Sequence, residues 1–123
     1  MMAAGLGCRA GAEAEDILAL LAEAVRGLPA LTHLAAPEFR RDVPGLRRAA
    51  ERLGLPLLFL PRAALEQMQP LCPTRSEAAL RATGLASVAE ACALAAAGPG
   101  ATLVRPRIAG AGVTCAVAAG SGA

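Results

Sequence analysis

Apolar and polar positions fall into blocks along this chain, and the period of each block predicts an element. Residues 2–7 form an apolar run broken only by glycine, the pattern of a short buried strand. From 13 to 28, Ile17, Leu20, Leu21, Ala24, Val25 and Leu28 recur at helical spacing, with Glu13, Asp16, Glu23 and Arg26 facing away. Gly27 and Pro29 end that helix. Leu31 to Ala36 predicts a second strand, stopped by Pro37 and followed by a polar loop to Asp42. Pro44 suits the first turn of a helix whose buried stripe is Leu46, Ala49, Ala50 and Leu53; Arg47, Arg48, Glu51 and Arg52 take the wet side, and Gly54 closes it. Leu55 to Leu60 is nearly all apolar, which suits a third strand in a sheet covered on both faces.

The second half is more broken. Pro61 opens a short helix through Met68, and Pro70 and Pro73 bracket a turn. A helical piece begins at Thr74 to Glu77 and ends near Gly84. Ser87-Val88-Ala89-Glu90 has capping-box spacing and starts a helix running to about Ala97. After the Gly98-Pro99-Gly100 turn, Leu103-Val104 and Val113 to Ala118 predict two last strands, a hairpin across Gly110-Ala111-Gly112. Strand–helix–strand–helix–strand order implies parallel pairing with right-handed crossovers. The expected fold is therefore α/β: three layers, α/β/α, around a mixed, mainly parallel five-stranded sheet that ends in an antiparallel hairpin. At 123 residues there is room for one domain, placed at 1–119, with 120–123 a frayed tail.

Composition narrows the function. Hydrophobic residues are 55% of the chain, but Phe39 and Phe59 are its only aromatics, so the core must be Leu, Val, Ile and Ala. All twelve cations are arginine, and the net charge is only +2. Scattered cations and absent stacking aromatics argue against nucleic acid as a partner. No apolar run reaches the ~18 residues that span a bilayer, and the N-terminus lacks the pattern of a secretion leader, so a cytoplasmic protein with no membrane partner is expected. Cys8, Cys72, Cys92 and Cys115 are far apart and His33 is the lone histidine, a set that predicts no metal site and no cofactor. Three of these cysteines read as small apolar fillers. Cys8 differs: a helix start and Arg9 beside it both lower a thiol pKa, although no histidine lies nearby as a base.

The opening, Ala4-Gly5-Leu6-Gly7-Cys8-Arg9-Ala10-Gly11 ahead of Glu13, reads as strand, tight glycine turn and helix start. Glycines admit a ligand closely, and free N–H groups at a helix start attract anions. The glycine spacing fits neither the dinucleotide fingerprint nor a Walker loop. In an open sheet, ligands sit beyond the carboxyl ends of the parallel strands. Four loops are expected there, 7–11, 37–42, 74–77 and 83–87. They bring Gly7, Cys8, Arg9, Gly11, Arg40, Arg41, Thr74, Arg75, Ser76, Thr83, Gly84 and Ser87, a donor set for a ligand with several carboxylates or phosphates. Thr74, Ser76 and Ser87 also read as helix caps. Glu38 and Asp42 read either as general bases or as surface partners of the arginines between them.

Taken together, these stretches resemble one family. Gly5 to Gly11 with Ala14-Glu15-Asp16-Ile17, then Pro44-Gly45-Leu46, Ala50 to Leu57, Pro73-Thr74-Arg75-Ser76-Glu77, Thr83 to Ala91, and Val113 to Ala118 are similar to the CobE/CbiG C-terminal domain family of cobalamin biosynthesis, over nearly the whole chain. Relatives commonly carry lysine where this chain has Arg40 and Arg105, which keeps charge and changes shape. The resemblance implies a role in corrin-ring construction near the precorrin-5 stage, in the stand-alone form that lacks the N-terminal part of longer, lactone-opening relatives. It implies a tetrapyrrole ligand with acid arms and adds Arg105 to the binding set. Two functions follow as expectations. One is hydrolysis of an acyl centre, with Glu38, Asp42 or Glu77 as base and N–H groups of the 7–11 turn holding the oxyanion. The other is a non-catalytic carrier that passes a precorrin to the pathway's methyltransferases, with other corrin-pathway enzymes as partners.

Overall fold

The structure is a computed structural model describing residues 1–121; positions 122 and 123 of the expected frayed tail lie outside it. At position 120 the tail is tied down, because the Gly120 N–H donates to the Met1 carbonyl at 2.8 Å.

The chain runs β1 (Met2–Cys8), α1 (Ala14–Ala24), β2 (His33–Pro37), a 3₁₀ turn (Glu38–Arg40), α2 (Pro44–Leu53), β3 (Leu57–Leu60), α3 (Arg62–Met68), a second 3₁₀ turn (Gln69–Leu71), α4 (Glu77–Thr83), α5 (Ala89–Ala97), β4 (Thr102–Gly110) and β5 (Val113–Ala119). The five strands form one sheet in the order β3-β2-β1-β5-β4. β1 pairs parallel with β2, and β2 with β3; β5 runs antiparallel to both β1 and β4. This is the mixed α/β sheet that the element order implies.

Two apolar cores flank the sheet. On one face Ile17, Leu21 and Leu46 of α1 and α2 pack against Leu6, Leu34 and Val117. On the other, Ala91, Cys92 and Leu94 of α5, with Leu65 of α3, pack against Ala35 and Ala118. Side chains alternate between faces along a strand, so the even residues of β1 serve the first core and the odd ones the second. A Cβ on Gly5 would run into the Ala89 carbonyl and the Ala93 N–H. Gly5 therefore admits a helix: α5 lies directly on β1.

Three predicted elements differ. α1 ends at Ala24 rather than near Leu28. β3 begins at Leu57 rather than Leu55 and is the sheet edge; Leu57 and Phe59 pack on one core and Leu60 on the other, while Leu58 is 37% exposed. β4 spans nine residues instead of two, with register shifts between Leu103 and Arg105 and between Arg105 and Ile108. An edge strand tolerates Pro106 at such a bulge. The hairpin closes through Ala111 and Gly112, both at positive φ (51° and 76°), as the primed two-residue turns require.

Candidate functional site

The carboxyl ends of β1 and β2 meet the β4–β5 turn at one end of the sheet, and α4 stands over them. Between them lies a cleft of about 390 Å³ lined by the ends of these elements. Gly7, Cys8, Arg9, Arg40, Ser76, Thr83 and Ser87 of the expected donor set line it. Phe39, Arg107, Gly110, Gly112 and Thr114 line it as well.

Its cations arrive from three separate places. Arg9 follows β1; its N–H donates to the Gly112 carbonyl at 3.3 Å, and its guanidinium occupies the space a side chain at 112 would take. Arg40 reaches back from the first 3₁₀ turn. Its Nε donates to the Cys8 carbonyl at 2.7 Å, and its guanidinium carbon lies 5.4 Å from the Phe39 ring centroid. Arg62 of α3 also sits over that ring, at 5.3 Å. Such contacts contribute roughly 0.5–1 kcal/mol at exposed sites, a modest bias on where each guanidinium rests. Arg107 enters from β4. The ion pairs among the described residues are Arg41–Glu38 (2.8 Å), Arg52–Glu15 (3.2 Å) and Arg81–Glu77 (3.9 Å), so Arg9, Arg40 and Arg107 have no carboxylate partner there. No Asp or Glu lines the cleft.

The hydroxyls are committed to the fold. Ser76 Oγ accepts the Ala79 N–H at 3.1 Å and caps α4. Thr83 Oγ1 donates to the Ala79 carbonyl at 2.7 Å and accepts the Leu85 N–H at 3.1 Å. Ser87 does not cap α5, which begins after Val88 without a side-chain cap; its hydroxyl donates to Glu90 Oε1 at 3.3 Å. The capping-box spacing thus marks a different bond.

The rest of the expected set lies elsewhere. Gly11 is not at positive φ and has open space around it, so its turn does not require glycine. Thr74 lies behind the wall, its N–H donating to Glu90 Oε1 at 2.9 Å. Arg75 is exposed and does not line the cleft. Gly84 closes α4 at φ 81°. Arg105 serves α1: its Nε and Nη2 donate to the Ala24 and Arg26 carbonyls at 2.9 and 2.6 Å, satisfying the end of that helix.

The three candidate bases are outside as well. Glu38 is paired with Arg41, Asp42 is exposed, and Glu77 is 92% exposed. The start of α1 carries its own anion. Glu15 bonds its own backbone N–H there, which with Arg52 holds its carboxyl below the usual range, and Gly45 of α2 abuts the Ala12 carbonyl. Cys8 ends a strand rather than starting a helix. Burial pushes its thiol above the ordinary 9.0, against the smaller opposite pull of Arg40. The lowered thiol pKa expected from sequence is overturned by that burial.

A second hollow, of about 320 Å³, is lined by Leu18, Leu21, Val25, Leu31, Leu53 and other apolar residues, with no donor side chain among them. Among the described residues, no group of three His, Cys, Asp or Glu is placed to hold a metal ion. None of the described helices is long and apolar enough to cross a membrane.

Comparison with known proteins adds a family to this geometry. The family model described as cobalamin synthesis G C-terminus matches residues 2–118. Protein CobE from Sinorhizobium sp. is 34% identical over 118 residues, which is 93% of this chain and 77% of that protein. Among solved structures, that of CobE, a protein from the cobalamin (vitamin B12) biosynthetic pathway, is 40% identical. It superposes with a TM-score of 0.89, covering 96% of this chain and 89% of that one. The cobalamin biosynthesis protein chiG from Agrobacterium tumefaciens str. C58 is 41% identical with a TM-score of 0.79, covering 98% and 99%.

Proposed function

Since the chain belongs to the cobalamin synthesis G C-terminal family, we propose that its cleft binds a precorrin near the precorrin-5 stage by the acid arms of the macrocycle. The observation that carries this reading is the gathering of Arg9, Arg40 and Arg107 on one cleft with no carboxylate in its lining. Like charges brought together repel, and a ligand bearing several carboxylates relieves that repulsion while making charge-assisted hydrogen bonds to each fork. Between the cations the lining is Ala78, Ala82, Ala86, Val88 and Phe39, an apolar surface suited to the edge of a ring. At about 390 Å³ the cleft is at the small end of ligand pockets. It takes one edge of a tetrapyrrole and leaves the remainder open to a second protein.

The same geometry favours holding over hydrolysis. A water-activating base must lie within hydrogen-bond reach of its water, and Glu38, Asp42 and Glu77 all lie outside the lining. The chain then keeps an unstable intermediate and hands it to a methyltransferase of the pathway.

Titration with a precorrin-5-stage tetrapyrrole, followed by mass spectrometry of the recovered ligand, tests both readings. Stoichiometric binding with unchanged mass is expected. Loss of a small carbon fragment would instead establish hydrolysis. Arg9→Ala, Arg40→Ala and Arg107→Ala should each weaken binding by ~1–3 kcal/mol, as charge-assisted bonds are lost. Arg105→Ala and Arg75→Ala should leave it unaltered. Unchanged affinity in the first three variants removes the cleft as the site.

A further inference from the structure

Glu90 is the one charged side chain among the described residues that is completely buried, at 0% exposure in the first turn of α5. Removing a carboxylate from water is costly unless it is paired and hydrogen-bonded. No arginine forms an ion pair with it. Instead it collects neutral donors: Oε1 accepts the Thr74 N–H at 2.9 Å and the Ser87 hydroxyl at 3.3 Å, and Oε2 accepts the Arg107 N–H at 3.0 Å. Alanine fills most of the neighbouring positions of α5, so volume alone does not call for a carboxylate here.

The donors come from three separate segments. Thr74 lies on the approach to α4, a helix that buries none of its side chains. Ser87 lies between α4 and α5, where Gln69 clamps its backbone from the other side, accepting its N–H at 3.0 Å and donating to its carbonyl at 2.8 Å. Arg107 lies in the stretch of β4 where register with β5 is lost, between Arg105 paired with Val117 and Ile108 paired with Cys115. A bulge re-aims side chains and leaves a backbone group without a ladder partner. Glu90 supplies that partner.

We infer that Glu90 is a positioning residue that joins the α4 wall of the cleft to the Arg107 wall and so sets the spacing at which the acid arms of a ligand meet Arg107. Its role in binding rests on the reading of the cleft given above; its role as a clamp does not. Ligand recognition then depends on a side chain that never touches the ligand.

The test is Glu90→Gln in the full chain, read in two ways. Glutamine keeps the volume but offers one acceptor oxygen in place of two, and turns an NH₂ group toward an N–H. In amide hydrogen exchange without ligand, Thr74 and Arg107 should exchange at least tenfold faster while Leu6 and Val117 of the central strands keep their rates. Uroporphyrin, a fluorescent tetrapyrrole with eight carboxylates, is the binding probe. Its affinity should fall about tenfold in Glu90→Gln, and less than twofold further when that change is added to Arg107→Ala, because both act through one contact. Equal acceleration across the sheet, or none at Thr74 and Arg107, overturns the clamp. A loss that adds fully to that of Arg107→Ala overturns its action through Arg107. Should Glu90→Gln fail to fold, Glu90→Asp, which keeps the charge and shortens the reach, undergoes the same measurements against the same outcomes. If the parent chain does not bind uroporphyrin or the precorrin, the proposed function fails, and the exchange rates still decide the clamp.

Discussion

α4 and α5 follow one another in the chain, are both short and alanine-rich, and are held by different physics. α5 buries Ala89, Glu90, Ala91, Cys92, Ala93 and Leu94, and lies on β1 so closely that Gly5 cannot carry a side chain. α4 buries none of its seven residues. It stays in place through directed bonds: the Ser76 cap, the Ser76 N–H on the Ala86 carbonyl at 2.8 Å, the Thr83 hydroxyl across its C-terminus, and the link from Thr74 to Glu90. One helix is part of the core, and the other is a wall hung on polar contacts. Ala78, Ala79 and Ala82 of α4 line the cleft and no residue of α5 does, so its helical wall is the one that is inexpensive to shift, which suits the bulky, many-armed ligand proposed above.

Substitutions under each helix can break this contrast. The largest effect is expected from Gly5→Val, whose side chain must displace the backbone of α5. Overpacking of this kind costs about 3 kcal/mol or more, and thermal unfolding should show it. A fall under about 1 kcal/mol would mean α5 is not seated as tightly as the geometry requires. On the other side, Thr83→Val removes the acceptor for the Leu85 N–H and the tie to Ala79. It should cost about 1–2 kcal/mol, confined to faster exchange of the α4 amides. Spread of that acceleration into α5 would erase the distinction between the two helices.

A smaller effect concerns pH. Burial pushes the Cys92 thiol far up and the Cys115 thiol to about 12 from the ordinary 9.0. In the folded chain these thiols stay protonated while the unfolded chain ionises near 9, so the fold binds more protons in alkaline solution. Their contribution to stability is complete below pH 9 and declines as pH rises toward 12. Cys92→Ala should flatten that decline in urea midpoints taken between pH 8 and 11, and an unaltered slope would show that the seating of α5 is not its source. Smallest in stability is Ala82→Leu, on the cleft side of α4. It should change stability by no more than about 0.5 kcal/mol and yet block binding by filling the cleft. Intact affinity would place the ligand elsewhere.

The contrast also explains what could be read from the sequence. α2 was legible because its signals are local: Pro44 opens it and Gly54 ends it at φ 66°. The parallel core followed from element order, and the gathering of loops at the carboxyl ends of β1 and β2 followed from that. Gly11 misled, because a glycine in a turn that does not require one leaves the same mark in the sequence as one that admits a ligand. Ser87 and Glu90 have the spacing of a cap, but whether the carboxylate turns back to the helix start or inward depends on Thr74 and Arg107, remote in sequence. Arg105 and Arg107 show the limit most plainly. Two positions apart, they would share a face in a regular strand. The break in register sends Arg105 to α1 and Arg107 to the cleft, and such a break is written in the pairing with β5 rather than in the residues themselves.

That irregular stretch of β4 has one more consequence. β4 is the outermost strand on its side, where an even row of unsatisfied backbone groups would invite a neighbouring molecule to zip on. Pro106 carries no N–H, and the shifted register spoils the repeat. The feature that aims Arg107 also makes this edge a poor template for a second strand, so a variant that straightens it is expected to announce itself first as precipitate in the tube.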